Sequence, residues 1–280
     1  MNTTKHFKAV VFDWAGTTID FGSFAPMGVF VEAFARFGIM ATVAQARAPM
    51  GMPKWLHIRT MLNDPALAVQ WEKAQGSPTS DAATDAIYNV FVPMNEEVAA
   101  KYATLVPSGK EAIDQLRGMG LKIGSTTGYT RSIMERVLPV AAAQGYVPDN
   151  LVCADDLAEG RPGPLQMYQT FIDLRVYPPS AVIKVDDTEP GIAEGVAAGC
   201  LTVGVAMSGN IVGLTPEDLA ATPPDEVARL RAIATARLKA AGADHVIDSI
   251  ADLPALVRQV TARTMTYLTA NVNPPSGAEY

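Results

Sequence analysis

A carboxylate follows an apolar run near the start of the chain, and a tight loop rich in hydroxyls comes directly after it. The run Val10–Phe12 leads into Asp13, and Gly16–Thr18 lies a few residues further on. The run predicts a strand, and open α/β sheets bind ligands at the carboxyl ends of their strands. Backbone N–H groups and hydroxyls of the loop could hold phosphate oxygens. These residue types predict a carboxylate placed beside a phosphoryl ligand.

A second apolar run ends in two adjacent carboxylates. Val182–Val185 is followed by Asp186, Asp187 and Thr188. If this strand lies beside the first, its carboxylates face Asp13 and complete an oxygen-rich site of the kind that Mg²⁺ prefers. The other interpretation is a surface acidic turn that caps the following helix. Because two strands of one α/β chain end in carboxylates, we predict a metal site.

Two further segments carry groups that suit a phosphoryl ligand. A strand pattern leads into Thr126–Arg131, where hydroxyls and backbone amides at a helix start could bind phosphate. Ordinary capping of that helix by Thr127 or Thr130 is the alternative. Arg161 lies in a loop of glycine and proline, where a fixed cation could neutralise a phosphoryl group, or could simply be solvated.

A lysine with apolar neighbours precedes a short helical pattern. Lys54 lies between Pro53 and Trp55, and His57 follows three residues later on the same helical face. Apolar surroundings lower the pKa of an amine, and a neutral amine can form a Schiff base with a carbonyl group. The alternative is a lysine that extends along apolar surface to water, with His57 as a polar residue of the helix surface.

Strand and helix patterns alternate over most of the chain, and a long helical block interrupts them. Helical patterns run from about residue 22 to 103, and short apolar runs alternate with helices from there on. This alternation predicts a parallel sheet with helices on both faces. We predict an α/β core of residues 1–21 and 104–270, a helical cap of residues 22–103 and a flexible tail of residues 271–280. The predicted later strands are 121–125, 151–154, 181–186, 201–205 and 245–247.

The first motif resembles a known superfamily. The run from Asp13 to Thr18 is similar to the first motif of the haloacid dehalogenase superfamily, whose members use this aspartate as a covalent nucleophile. Superfamily phosphatases carry an acid two positions later that protonates a departing alkoxide, and this chain has Ala15 there. Together with Lys54, this departure resembles the phosphonoacetaldehyde hydrolase family. The resemblance implies a Rossmann-like parallel sheet core of the haloacid dehalogenase type with an inserted all-helical cap.

The resemblance also assigns roles to individual residues. It implies that Asp13 is the nucleophile and Lys54 the Schiff-base lysine. The implied Mg²⁺ ligands are Asp13, the backbone carbonyl of Ala15, and Asp187. The residues implied to contact the phosphoryl group, the lysine or the substrate are Thr127, Arg161, His57, Met50 and Tyr129. Some family members carry a second carboxylate at the position of Gly191, where this chain instead has Asp186 before Asp187, which leaves open whether Asp186 joins the metal shell.

The implied reaction is hydrolysis of the carbon–phosphorus bond of phosphonoacetaldehyde to acetaldehyde and phosphate. An imine at Lys54 would accept the electron pair of the departing carbon while Asp13 attacks phosphorus and Arg161 offsets the charge. No alkoxide then needs a proton, which agrees with Ala15. The alternatives are a phosphate-ester hydrolase or phosphosugar mutase of the same superfamily, and a non-catalytic protein that binds phosphate or metal. The resemblance further implies a homodimer.

The composition argues against several other classes of protein. The 280 residues are 49% hydrophobic and 18% charged, as in ordinary globular proteins, and the net charge of −7 disfavours a nucleic-acid partner. No apolar run approaches the roughly 20 residues of a membrane helix, and the polar start does not resemble a secretory signal. Cys153 and Cys200 imply no disulfide framework. We expect a cytoplasmic protein with no membrane partner.

Overall fold

Five parallel strands form one sheet. The computed structural model describes the backbone of residues 7–272 and the side chains of residues 7–262. The strands are β1 (Ala9–Phe12), β2 (Lys122–Ser125), β3 (Val182–Asp186), β4 (Leu201–Val205) and β5 (His245–Ile247). Their order across the sheet is β2-β1-β3-β4-β5, and each neighbouring pair is parallel. The predicted α/β class is confirmed.

The strand order brings the two carboxylate motifs side by side. β1 and β3 are neighbours, with Phe12 opposite Val185, and the N–H of Asp13 donates to the Val185 carbonyl at 3.0 Å. From β1 the chain proceeds to β2 on one side and later to β3 on the other, so the strand order reverses at β1. Ligands of open α/β sheets bind outside the carboxyl ends of the strands at such a point. Asp13 and Asp186 both lie there.

Five helices occupy most of the segment between the first two strands. They are α1 (Ala25–Ala35), α2 (Val43–Arg47), α3 (Lys54–Leu62), α4 (Pro65–Gln75) and α5 (Asp81–Ala99). Their apolar cluster includes Phe30, Phe34, Trp71 and Phe91 and shares no residue with the clusters around the sheet. This separate packing supports the proposal that residues 22–103 form an inserted cap, which we call the proposed cap.

The remaining helices cover the two faces of the sheet. They are α6 (Gly109–Gly118), α7 (Arg131–Ala143), α8 (Leu165–Leu174), α9 (Glu189–Ala197), α10 (Pro216–Ala221), α11 (Pro224–Ala240) and α12 (Leu253–Val272). Successive residues of a strand point to opposite faces. Accordingly, Val10 and Phe12 belong to one buried apolar cluster, while Ala9 and Val11 belong to another. Burial on both faces explains why β1 and β3 are almost continuously apolar.

One predicted strand is wrong. Residues 151–154 form no strand, and Val152 makes only an isolated bridge to Thr126. The chain then bends, because the N–H of Ala154 donates to the carbonyl of Tyr129 at 2.9 Å rather than continuing along β2. This short apolar run has the sequence pattern of a strand, although it forms only one bridge to a neighbouring segment.

The predicted tail lies almost entirely beyond the part of the chain that the structure describes. Residues 271–272 belong to the last turn of α12, and residues 273–280 are outside the described residues. Among the described residues, none of the helices has the length and apolar character that a membrane span requires.

Candidate active site

Asp13 follows β1 directly and pairs with a buried arginine. The residue is 6% exposed, and its Oδ1 lies 2.8 Å from Nη1 of Arg161. Burial and the neighbouring Asp186 together raise the pKa of Asp13 to about 6, against the lowering effect of Arg161. The ion pair holds one carboxylate oxygen in a defined direction. The sequence placed these two residues nearly 150 positions apart, and the fold brings them into contact.

Three carboxylates meet at the carboxyl ends of β1 and β3. Oxygens of Asp13, Asp186 and Asp187 lie within 4.8 Å of one another, and all three residues are buried. Asp187 accepts hydrogen bonds from Oγ1 of Thr17 and from the N–H of Asn210, both at 2.8 Å. Burial and the two neighbouring carboxylates raise the pKa of Asp187 well above its ordinary value. This crowding of like charges is characteristic of a site that takes a cation.

The unusual pair of Asp186 and Gly191 has a steric explanation. A Cβ atom added to Gly191 would lie 1.9 Å from Oδ2 of Asp186. The Asp186 carboxylate therefore fills the space beside position 191, where a side chain would clash. Its Oδ1 accepts hydrogen bonds from the N–H of Thr188 at 3.0 Å and from its Oγ1 at 2.7 Å. Burial would raise the pKa of Asp186, but Arg161 and Lys184 outweigh this and hold it below its ordinary value.

A divalent cation would offset the excess of buried carboxylates in the cluster. Four buried carboxylates, those of the three aspartates and of Glu194, face the two buried cations Arg161 and Lys184 at this end of the sheet. The donors are carboxylate oxygens, which suit hard ions such as Mg²⁺, Ca²⁺ or Mn²⁺ rather than soft ones. The residues present therefore fit a hard divalent metal ion.

Lys54 is the first residue of α3 and reaches the site from the proposed cap. It is 4% exposed, and its Nζ lies 5.0 Å from the ring centre of Tyr129 and 5.6 Å from that of Phe30. Burial lowers the pKa of Lys54 from 10.5 to about 8, although the nearby Asp13 opposes this effect. The side chain does not extend to water, so the surface-lysine alternative is wrong.

One cavity is lined by residues of the sheet and of the proposed cap together. Its wall contains Asp13, Lys54 and Arg161. The other sequence-predicted residues in this wall are Ala15, Met50, Thr127 and Tyr129. Asp186, Asp187 and His57 lie outside the wall. The fold thus brings a carboxylate, an amine and a guanidinium to a single cavity.

His57 lies behind the cavity wall in a defined tautomer. Its ring stacks on that of Phe30 with centres 3.8 Å apart, and its Nε2 lies 2.9 Å from the carbonyl oxygen of Ala46. A carbonyl oxygen can only accept, so Nε2 carries the proton. Nδ1 is buried without a hydrogen-bond partner among the described residues and keeps its lone pair. Burial lowers the pKa of His57 well below its ordinary value, so the ring is neutral at pH 7.

A glycine lets the proposed cap come close to the carboxyl ends of the strands. Gly51 has a φ of +90°, and a Cβ atom added there would lie 2.2 Å from Oγ1 of Thr188. Gly128 similarly allows the carbonyl of Met52 to come close, since its Cβ would lie 3.1 Å from that oxygen. These contacts bring the loop before Lys54 down onto the carboxyl ends of the strands.

Five residues of the cavity wall were not predicted as site residues: Ser23, Pro26, Gly51, Gly128 and Thr188. Ser23 lines the cavity, is 1% exposed, and its Oγ has no hydrogen-bond partner among the described residues. Its φ of +55° is uncommon for a residue other than glycine, and such conformations cluster at functional sites. No sequence pattern announces a serine in this conformation.

The hydroxyls of the first loop have a different role from the expected one. Oγ1 of Thr17 donates to Asp187, and Oγ1 of Thr18 donates to the carbonyl oxygen of Asp13 at 3.1 Å. Thr17 thus donates to the carboxylate cluster and Thr18 to the backbone of the loop, whereas the sequence suggested that these hydroxyls would hold phosphate. Among the predicted hydroxyls, Thr127 lines the cavity.

The fold and the acidic cluster define a haloacid dehalogenase-like hydrolase, and the model of that family matches residues 7–199. The phosphonoacetaldehyde hydrolase of Paraburkholderia xenovorans is 50% identical over 259 residues, which are 92% of this chain and 97% of that protein. The enzyme of the same name from Pseudomonas aeruginosa is 45% identical over 94% of this chain and 95% of its own. A phosphonoacetaldehyde hydrolase-like protein from Oleispira antarctica has a crystal structure that superposes with a TM-score of 0.90 at 43% identity, covering 92% of this chain and 94% of that one. The chain belongs to the phosphonoacetaldehyde hydrolase family, a family of enzymes within this superfamily.

Proposed function

We propose that this protein hydrolyses the carbon–phosphorus bond of phosphonoacetaldehyde to acetaldehyde and phosphate. The observation that carries the proposal is the cavity in which a buried lysine of lowered pKa faces a strand-end aspartate, while position 15 offers an alanine in place of an acid. The names of the relatives supply the substrate. A phosphate-ester hydrolase or phosphosugar mutase would require the acid that Ala15 replaces.

The first stage is imine formation at Lys54. The neutral Nζ attacks the aldehyde carbon, a water molecule leaves, and the resulting imine is protonated. The protonated imine then serves as the electron sink that a carbon leaving group needs. We propose His57 as the group that relays a proton in this stage: its Nδ1 keeps a free lone pair, and its lowered pKa makes it give the proton up again. Met50 and Tyr129 form the wall around the amine and keep water from it.

The second stage is transfer of the phosphoryl group to Asp13. A carboxylate oxygen of Asp13 forms a bond to phosphorus, and the electron pair of the carbon–phosphorus bond moves into the imine, giving an enamine. Arg161, paired with Asp13 at 2.8 Å, and Thr127 bind the phosphoryl oxygens. Water then hydrolyses the aspartyl phosphate, while protonation and hydrolysis of the enamine release acetaldehyde and restore Lys54.

We propose Mg²⁺ as the metal ion. Asp13, the backbone carbonyl of Ala15, and Asp187 would hold it, and Asp186 would support the shell from the space beside Gly191. When bound, the ion supplies positive charge that offsets the phosphoryl oxygens and the crowded carboxylates. Hydrogen bonds from Thr17 and Asn210 orient the carboxylate of Asp187, one of the proposed metal ligands.

The assembly and the location of the protein also remain proposals. The apolar face of α1 packs inside the proposed cap through Phe30 and Phe34. A homodimer is therefore supported by the family resemblance alone, and it would use another surface. Light scattering on the purified protein measures its mass in solution. A cytoplasmic location stays a prediction.

A coupled assay tests the reaction. Purified protein with Mg²⁺ and phosphonoacetaldehyde should release acetaldehyde, read as NADH loss through alcohol dehydrogenase. Lys54→Arg should abolish turnover, because a guanidinium forms no imine, whereas Lys73→Arg on the exposed side of α4 should retain it. Turnover that survives Lys54→Arg would rule out the imine route. Faster hydrolysis of p-nitrophenyl phosphate than of phosphonoacetaldehyde would favour the phosphate-ester alternative.

A further inference from the structure

A buried carboxylate behind the phosphate site takes no part in the reaction above. Glu194 of α9 is fully buried, and its Oε2 lies 2.9 Å from Nζ of Lys184, 2.9 Å from Oγ1 of Thr126 and 3.1 Å from Nε of Arg161. Its Oε1 has no hydrogen-bond partner among the described residues. Three donors from different elements therefore converge on one oxygen. A carboxylate buried at such a cost needs an explanation.

The guanidinium of Arg161 is held on every side. Its Nε donates to Glu194, and its Nη2 donates to the carbonyl of Thr126 at 2.9 Å and to the Oγ1 of Thr126 at 3.1 Å. Its Nη1 lies 2.8 Å from Asp13 and 3.3 Å from Asp186. Because the group is planar, fixing Nε and Nη2 decides where Nη1 points. Glu194 and Thr126 thus set the direction in which Arg161 faces the nucleophile.

Lys184 is the charge partner of Glu194, with its Nζ 2.9 Å from Oε2 of that carboxylate. Its Nζ also donates to Oγ1 of Thr126 at 2.7 Å and lies 3.2 Å from Asp186. The stem of Lys184 passes against Gly195, where an added Cβ atom would lie 2.7 Å from its Cγ. A lysine in a strand buried on both faces is costly unless it is paired. The glycine next to Glu194 makes room for this pairing.

We propose that Glu194 is a positioning residue that aims Arg161 at Asp13 and the phosphoryl group, with Lys184 as its charge partner. The inference rests on the proposed function, in which Arg161 binds the phosphoryl oxygens. Removing the charge of Glu194 weakens the bond from Nε of Arg161, and the bonds of Nη2 to Thr126 alone then hold the guanidinium less firmly in the direction of Asp13. Phosphoryl transfer slows as a result. Imine formation takes place at Lys54, on the proposed cap, and does not depend on Glu194.

Glu194→Gln is the test, since it keeps the size and an acceptor oxygen while removing the charge. We expect kcat to fall about 10- to 100-fold, as for other residues that orient a functional group. Trapping of the Lys54 imine with borohydride should proceed as in the parent. Calorimetric titration with inorganic phosphate and Mg²⁺ should show weaker binding, although removing a negative charge would by itself strengthen it. Unchanged kcat, or tighter phosphate binding, would overturn the inference.

Further variants separate positioning from folding. In an Arg161→Lys background, Glu194→Gln should change kcat less than about 3-fold, because coupled residues are not additive. An equal loss in both backgrounds contradicts the inference. The double variant Lys184→Met/Glu194→Gln removes one positive and one negative buried charge, so its Tm should recover while kcat stays low. Recovery of both Tm and kcat would show that Glu194 has a structural role alone. Glu194→Asp serves if Glu194→Gln does not fold, with a smaller loss of kcat expected.

Control measurements keep this inference apart from the proposed function. Glu226→Gln removes an exposed glutamate of α11 and should leave kcat unchanged. A parent protein without turnover or imine trapping would contradict the proposed function, and the phosphate titration would still decide the role of Glu194. A parent that is active alongside a fully active Glu194→Gln would contradict only the role of Glu194.

Discussion

Lys54 yields a quantitative prediction for the pH dependence of imine formation. Only the neutral amine attacks a carbonyl, and burial lowers the pKa of Lys54 from 10.5 to about 8. At pH 7 the neutral fraction is then about 10%, against about 0.03% for an ordinary lysine, a gain of about 300-fold. The rate of imine formation should rise about tenfold from pH 6 to pH 7 and level off above pH 8.

Opening the cavity should remove this gain. In Gly51→Ala the added methyl would lie 2.2 Å from Oγ1 of Thr188, so the loop before Lys54 must move off the sheet and admit water. The midpoint of the pH profile should then move upward toward 10.5. Gly76→Ala is the matched control, because Gly76 also has a positive φ of +70° but has open space around its Cβ.

Reductive trapping measures the profile directly. The protein is mixed with acetaldehyde and cyanoborohydride between pH 5.5 and 10.5, and mass spectrometry follows ethylation of Lys54 against that of exposed lysines such as Lys73, which correct for the reagent. A parent midpoint near 10.5, or the same midpoint in the parent and in Gly51→Ala, would refute the link between burial and reactivity.

The other predictions concern the metal site and its link to the proposed cap. Gly191→Ala should weaken Mg²⁺ binding in calorimetry and lower stability by about 1–3 kcal/mol, because its Cβ collides with the Asp186 carboxylate; Gly28→Ala, with open space around its Cβ, should not destabilise. Chelation with EDTA should abolish turnover and lower Tm, and added Mg²⁺ should restore both. Turnover and Tm that do not change with EDTA would show that the carboxylates bind no metal. Arg47→Met removes donors to the Gly22 carbonyl at 2.8 Å and to Asn210 Oδ1 at 3.0 Å, so kcat/KM should fall about tenfold; an unchanged value would show that these contacts do not hold the proposed cap in place.

Much of the fold followed from local patterns. Five of the six predicted strands and the helical block between the first two are present, because burial on both faces of a parallel sheet leaves long apolar runs that a sequence displays openly. The exception, residues 151–154, shows the limit of this reasoning. An apolar run of that length indicates burial. Whether it pairs with a neighbouring strand over several residues or at only one depends on the path of the segment that follows it.

The sequence predicted most of the residues of the candidate site, but not the contacts between them. Asp13, Lys54, Thr127 and Arg161 line one cavity, as their motifs suggested. Ser23 was missed, since nothing local marks a serine with positive φ.

The amino-acid sequence alone determined which chemistry is available to this protein. It specified an aspartate at a strand end, an alanine in place of the acid and a lysine with apolar neighbours, all of which are properties of short segments. The tertiary structure decided what each group experiences. Two of these effects depend on segments far apart in the chain: the lowered pKa of Lys54, and the contacts of Arg161 and Lys184 with Glu194. The packing of the Asp186 carboxylate against Gly191 likewise depends on how β3 and α9 are arranged. Electrostatic and steric effects act through space, so only the packed fold defines them.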